Sequence, residues 1–365
     1  MKHVYLIFLC FAMLSSSCSK VATENGCKGE SLSDIIGWKV SATTHADGFS
    51  PVTRALIEDY TDLRNACTTF EGQEAEKIGL LGLYTMDGHS KVAFDNVDLW
   101  WWEKEDGNPF TDDFGNNSYW NYPGEDVYWT DNVDYIFKAY FPKSKAVLQP
   151  GSGADKLLIV YDTEITQYDL LVAHKSMRAK SENPVNLLMN NALSALRFDF
   201  QFVESGVTDK LICCWLENRS ENGFYTSSTL NFEEEIVWPQ STPNPAGTPF
   251  YYWEPISPLE IRSTSVAVAY STPASEKNGN AYSGNNGWVL IIPQSNQNAG
   301  AVDLCFRTAT GGNTVYRINF PAYEFKAGYR YNYHVKMTST GIELSLTIAD
   351  WNERKSSYEI DFNEL

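Results

Sequence analysis

After its first 17 residues, the 365-residue sequence contains no apolar run near the roughly 20 residues of a membrane-spanning helix. Positive charge is also scarce: 28 Lys and Arg stand against 46 Asp and Glu, a net of −18 at pH 7, with no Lys/Arg-rich run. Phosphate backbones and anionic bilayer surfaces are bound by clustered cations, so nucleic acid is excluded as a partner and an anionic surface is disfavoured. Histidines are few (His3, His45, His89, His174 and His334), and none stand at metal-ligand spacing. Beyond the N-terminal segment only Cys27, Cys67, Cys213, Cys214 and Cys305 remain, an odd set without C-x-x-C spacing. That pattern fits neither a disulfide framework nor a zinc site, and reads as buried thiols acting as small hydrophobes. H-E-x-x-H, G-x-S-x-G, P-loop and dinucleotide motifs are missing too, so no catalytic residue, cofactor or metal is assigned and an enzyme is not expected.

What is abundant is apolar and aromatic. Hydrophobic residues make up 43% of the chain, and 21 Tyr, 19 Phe and 11 Trp favour half-buried pleated surfaces. Period-two alternation is the clearest pattern. Leu196, Phe198, Phe200 and Phe202 alternate with Arg197, Asp199 and Gln201, which predicts one apolar and one wet face. Tyr329, Tyr331, Tyr333, Val335 and Met337 alternate in the same way, with His334 on the outward side, as do Ile342, Leu344, Leu346 and Ile348, and then Tyr358, Ile360 and Phe362. Leu304 and Phe306, followed by Gly311-Gly312 and then Tyr316, Ile318 and Phe320, read as a hairpin with glycine at the turn. Further strands are expected near 79–85, 133–141 and 157–161. Leu187 to Ala195 fits a short helix. The fold class is all-β: two β-sandwich domains of mainly antiparallel strands with Greek-key-like connections. The Pro- and Asn-containing stretch 180–186 is the expected boundary between domains at 55–180 and 181–365.

Residues 1–17 have the layout of a signal peptide: Lys2, the apolar run Val4 to Leu14, then three serines. Cys18 follows directly and reads as the acceptor of a lipid anchor, so attachment to the membrane would be through lipid alone. Between Glu103 and Asp134 lie Asp106, Asp112, Asp113, Glu125, Asp126, Asp131 and Asp134, a density that suits calcium but lacks an EF-hand register, and a solvated acidic face is the plainer reading. Trp100, Trp101, Trp102 and Trp120 lie in the same region and are candidate glycan contacts, with core packing as the competing reading.

A set of short peptides carries a family resemblance. The signal ending at Cys18 is followed by Pro51-Val52-Thr53-Arg54-Ala55, Asp169-Leu170-Leu171-Val172-Ala173 and Asn191-Ala192-Leu193-Ser194-Ala195-Leu196-Arg197-Phe198. Phe325-Lys326-Ala327-Gly328-Tyr329-Arg330-Tyr331 and Ile348-Ala349-Asp350-Trp351 complete it. In order and spacing the chain resembles the fimbrillin family, subunits of the lipoprotein-derived pili of anaerobic Gram-negative bacteria. The resemblance implies export as an outer-membrane lipoprotein precursor and cleavage by an arginine-specific protease, with Arg54 and Ala55 at the matching junction. The mature form would sit in surface fimbriae, and its host or bacterial surface ligand is left open.

The leader 18–54 would then carry a removable strand, since Ile36, Trp38, Val40 and Ala42 alternate with Gly37, Lys39 and Ser41. Its loss would open a sheet edge and an apolar groove, a template for another subunit's strand. Tyr358, Ile360 and Phe362 mark the candidate donor, and Arg64 is a rival cleavage position. The alternative function is a surface glycan-binding lipoprotein.

Overall fold

The computed structural model describes residues 35–42, 57, 60–69, 75–102, 120–122, 124–165, 167–202, 209–253, 258–262, 266–267, 288–296, 300–321, 323–338, 341–350 and 358–361. Nearly all of its regular structure is strand. In chain order, β1 (Trp38–Ala42) precedes the helix α1 (Tyr60–Cys67), β2 (Thr68–Thr69), β3 (Ile78–Met86), β4 (His89–Trp102), β5 (Trp120–Asn121) and β6 (Asp134–Phe141). Next come β7 (Val147–Leu148), β8 (Leu157–Asp162), β9 (Leu171–Arg178), β10 (Val185–Asn191), β11 (Ser194–Phe202), β12 (Asp209–Asn218), β13 (Ser227–Phe232) and β14 (Ile236–Val237). β15 (Pro249–Trp253), β16 (Leu259–Ile261), β17 (Val266–Ala267), β18 (Val289–Ile291), β19 (Gln294–Asn296) and β20 (Val302–Thr308) follow. The chain closes with β21 (Tyr316–Asn319), β22 (Tyr323–Phe325), β23 (Tyr329–Met337), β24 (Ile342–Asp350) and β25 (Tyr358–Asp361).

The first sheet has the order β2-β4-β3-β6-β9-β10-β1-β5, and β5 also pairs with β4 through Trp101 and Trp120. The sheet therefore curls round and closes on itself, where two packed sheets were expected. Its interior is filled from alternate positions: Trp38 and Val40 of β1, Tyr135, Phe137 and Ala139 of β6, and Val185, Leu187 and Met189 of β10. Trp38 stands edge-on to Phe94 and Phe137, with ring centroids 5.1 and 5.2 Å away. Helix α1 adds Leu63 and Cys67 to the same core.

The outer face of β3, β6 and β9 is also covered. Leu81, Tyr140 and Val172 pack against Leu157, Ile159 and Tyr161 of β8 and Leu230 and Phe232 of β13. β13 pairs with β8 along its whole length, and β10 begins inside the stretch 180–186 and continues the first sheet, so the two halves of the chain share a layer. The helix expected from Leu187 to Ala195 is instead β10 and the start of β11. Val185, Leu187, Met189 and Asn191 are buried in alternation while Leu188 faces out, which is a strand's period.

The second half is a sandwich. Leu196, Phe198 and Phe200 of β11, Tyr331, Tyr333 and Val335 of β23, and Leu346 of β24 face Leu216 of β12, Trp253 of β15, and Leu304 and Phe306 of β20. Phe198 meets Trp253 edge-on at 5.0 Å. The hairpin expected around Gly311-Gly312 is β20–β21, with Leu304 opposite Ile318, Phe306 opposite Tyr316, and Gly312 at φ +60°. Cys213 and Cys214 point to opposite faces: Cys214 lies in the main core, and Cys213 packs with Trp215 and Cys305.

The face of β11 expected to be wet is not. Arg197 and Asp199 are buried, with the guanidinium Nε 3.1 Å from the carboxylate, and Asn332 Nδ2 donates to Asp199 at 2.8 Å. His334 is likewise not simply solvated: its Nε2 lies 2.8 Å from the Thr347 hydroxyl.

Candidate functional site

The first strand is paired along its length on one side and at Trp38 on the other. β1 runs parallel to β10 in the register Trp38–Val185 through Ala42–Met189, and Trp38 also pairs with Trp120 of β5. Ile36, Trp38 and Val40 are each 2% exposed. Burying side chains of this size stabilises by about 1.5–3 kcal/mol each, so three of them hold the segment firmly. Polar clamps fix its entry. Asn183 accepts the Gly37 N–H at 2.9 Å and donates to the Ile35 carbonyl at 2.8 Å, while Ile36 N–H donates to Val127 O at 2.9 Å. Ser41 Oγ donates to Asn186 Oδ1 at 3.0 Å. Lifting β1 out would leave β10 with unpaired N–H and C=O groups beside an apolar slot walled by Phe94, Phe137 and Leu187.

Arg54 and Ala55 lie outside the described residues, as does Cys18. Immediately downstream, the Ile57 N–H donates to a carboxylate oxygen of Asp169, a residue only 3% exposed. The body therefore grips the chain two residues past the expected junction. Arg64 is placed differently: it lies within α1, and its guanidinium sits 5.7 Å from the centroid of the Trp101 ring. A protease cleft takes extended backbone, which helical Arg64 does not offer.

Among the described residues the last strand has one neighbour. β25 pairs antiparallel with β24 at the sheet edge, Tyr358 opposite Ile348 and Ile360 opposite Leu346. Phe362 lies outside the described residues. β25 is held by a four-residue ladder on one side, whereas β1 is a central strand.

Of the tryptophans expected to offer a sugar surface, Trp101 and Trp120 do not do so. Trp101 and Trp120 are 6% and 2% exposed and pack edge-on at 5.6 Å, closing the first sheet from within. Trp100 is half-buried beneath Lys77, whose Nζ lies 5.6 Å from the ring centroid. The side chain of Trp102 is outside the description. Alternation explains the outcome: in a run of three on one strand, the middle ring turns inward. Of the nearby acids, Asp106, Asp112 and Asp113 lie outside the described residues, Asp131 pairs with Lys180 at 2.8 Å and Asp134 with Arg178 at 3.4 Å. Among the described residues no group of three or more His, Cys, Asp or Glu side chains is placed to hold a metal ion.

Several structural roles gave no sequence signal. Asn183 stands in a stretch that reads as a linker, yet it clamps β1. Lys138 looks like an outward residue on β6 but is 1% exposed, with its Nζ donating to Phe232 O at 2.9 Å and to Asp155 O.

A family model described as fimbrillin-like matches residues 75–351. The chain belongs to the fimbrillin-like family. Among solved structures, this fimbrillin-like chain is similar to a fimbrial protein from Bacteroides vulgatus, with 13% identity and a TM-score of 0.53 over 87% of this chain and 99% of that one. A putative cell adhesion protein from Bacteroides uniformis is 16% identical, with a TM-score of 0.48 over 87% and 99% of the two chains. No curated protein matches. β1 and β25 both fall outside the matched stretch, one at each end.

Proposed function

We propose that this fimbrillin-like protein is a structural subunit of surface fimbriae, assembled by protease-triggered strand exchange. In this reading it is exported as a precursor lipidated at Cys18, and an arginine-specific protease cuts between Arg54 and Ala55. The leader then departs with β1, and the vacated place beside β10 accepts a strand from another subunit, the segment of Tyr358, Ile360 and Phe362 being the candidate donor. Such head-to-tail donation does not close on itself, so its product is a filament.

The observation that carries the reading is the position of β1, the described strand that precedes Arg54. It lies inside a sheet and its alternate side chains Trp38, Val40 and Ala42 are core, so its loss creates a slot with both apolar walls and free ladder groups. The edge position of β25 supports its role as donor, because one ladder has to break for it to leave. Family membership supports a structural rather than an enzymatic role and a place at the cell surface. Shaft and tip subunits both fit; an anchor subunit would keep β1.

The test treats the soluble precursor with an arginine-specific protease, reads the new N-terminus and follows size by light scattering. A start at Ala55 with growing oligomers is expected. Cleavage there without association would overturn a self-polymerising shaft subunit and favour a tip, an anchor or a glycan-binding lipoprotein.

A further inference from the structure

A second concavity lies away from β1. A cleft of about 560 Å³ opens between the β12–β13 turn, the chain leaving β14 and the β19–β22 ribbon. That volume lies within the ~300–1,000 Å³ of small-molecule sites. We infer that this cleft binds a neutral oligosaccharide, with the Trp238 ring as its platform and the side chains of Asn222, Gln240 and Glu324 as hydroxyl partners.

The walls are fixed before any ligand arrives. Trp238 donates its indole N–H to Ala192 O at 2.7 Å, and its ring meets Tyr161 edge-on at 6.4 Å, so the platform is held from behind. Opposite it, Gln294 locks Tyr225 by accepting its N–H at 3.0 Å and donating to its carbonyl at 3.0 Å. Lys326 N–H donates to Tyr331 Oη at 2.8 Å, while Phe325 packs edge-on against Tyr331 at 4.7 Å. A preorganised cleft loses little entropy on binding.

The lining selects the ligand class. An indole face beside side-chain amides and a carboxylate matches a pyranose, which has an apolar C–H face and a fringe of hydroxyls that both donate and accept. Charge argues against anions. Glu324 and Lys326 offset one another on the rim, their charged atoms 3.5 Å apart, and the chain as a whole carries −18. None of these residues belongs to β1 or β25.

The test titrates the uncut soluble precursor with lactose, cellobiose, maltose and N,N′-diacetylchitobiose by saturation-transfer NMR and calorimetry, with 3′-sialyllactose as the anionic probe. The expected result is saturable binding of at least one neutral probe with Kd below about 10 mM. An Asn222→Ala/Gln240→Ala variant, altered only at exposed positions, is expected to bind about tenfold more weakly with an unchanged melting temperature. Absence of saturable binding by all four neutral probes would overturn the inference. So would binding unaffected in the double variant, or 3′-sialyllactose binding as well as lactose.

Discussion

Lys138 reaches from β6 through the layer between two sheets and donates to the backbone carbonyl of Phe232 on β13, 2.9 Å away. A second donation goes to Asp155 O, and the ammonium lies 5.8 Å from the Phe232 ring centroid. One cation thus ties the closed first sheet to the layer that connects both halves of the chain. Burial lowers its pKa to about 8, against a partial upward pull from Asp155, Glu233 and Glu234. Lys138 lines a surface pocket together with His174, Asp155 and Asn231.

The sign of the consequence follows from linkage. Between pH 8 and the ordinary lysine value, the unfolded chain holds a proton that the folded chain has lost, so Lys138 makes stability rise with pH in that window, by at most about 1.4 kcal/mol per unit. Cys67, Cys214 and Cys305, whose thiols burial pushes up, act in the opposite direction. Urea unfolding from pH 7.5 to 10, wild type against Lys138→Met, separates the two. The wild type is expected to gain on the variant as pH rises; parallel profiles would refute the assignment.

Trp38→Ala should cost about 3–5 kcal/mol, because it removes a ring wedged between Phe94 and Phe137 and the site collapses poorly. Chemical denaturation reads the loss directly. A cost below 1 kcal/mol, on the order of a surface substitution, would mean that β1 is not core.

Asn183→Ala removes both clamps on the entry to β1 while leaving its apolar face intact. The expected cost is about 1–2 kcal/mol, the low end for two hydrogen bonds whose surroundings are partly open. Amide hydrogen exchange at Gly37 should accelerate, whereas exchange in β23 and β24 should not change.

Gly79 lies under the Tyr140 ring: a Cβ there would fall 2.3 Å from two ring carbons. The ring cannot swing aside freely, since Tyr140 Oη bonds Asn96 Oδ1 at 2.8 Å. Gly79→Ala is therefore expected to destabilise by about 1–3 kcal/mol, the range for overpacking a core. A melting temperature equal to wild type would contradict the packing.

Processing provides the fifth comparison of variants. Arg54→Ala should make the precursor resistant to the arginine-specific protease at this junction, whereas Arg64→Ala should be cut as wild type is, since Arg64 sits in α1. N-terminal sequencing of the products decides it, and processing of Arg54→Ala at residue 64 would reverse the assignment.

Much of the second half was legible because its strands bury one face against a facing sheet. Phe198 and Phe200, Tyr331 and Tyr333, and Leu344 and Leu346 are core as period two requires. Legibility failed where both faces are covered or where pairing is long-range. Leu187-Leu188-Met189 looked helical because three apolar residues in a row hide the alternation that the fold imposes. α1 carries little sequence signal because it is only two turns long, and Leu63 and Cys67 alone are fully buried, with Tyr60 and Ala66 packing partly against the core. Arg197 and Asp199 were assigned to solvent because local sequence does not reveal that Asn332, more than a hundred residues away, completes their bonding. Closure of the first sheet rests on the two-residue β5, far too short to signal itself. The Trp101–Trp120 contact was foreseeable as core packing, and the glycan reading of those rings lost to it.

The placement of β1 also sets how the molecule responds to force. A strand seated between β10 and β5, pulled along its own axis, shares the load among its ladder bonds at once, whereas a strand peeled from an edge surrenders them one by one. A joint made by refilling this seat would be loaded in shear, like a lapped seam. A fibre of such joints would hold under tension that strips an edge strand such as β25 away.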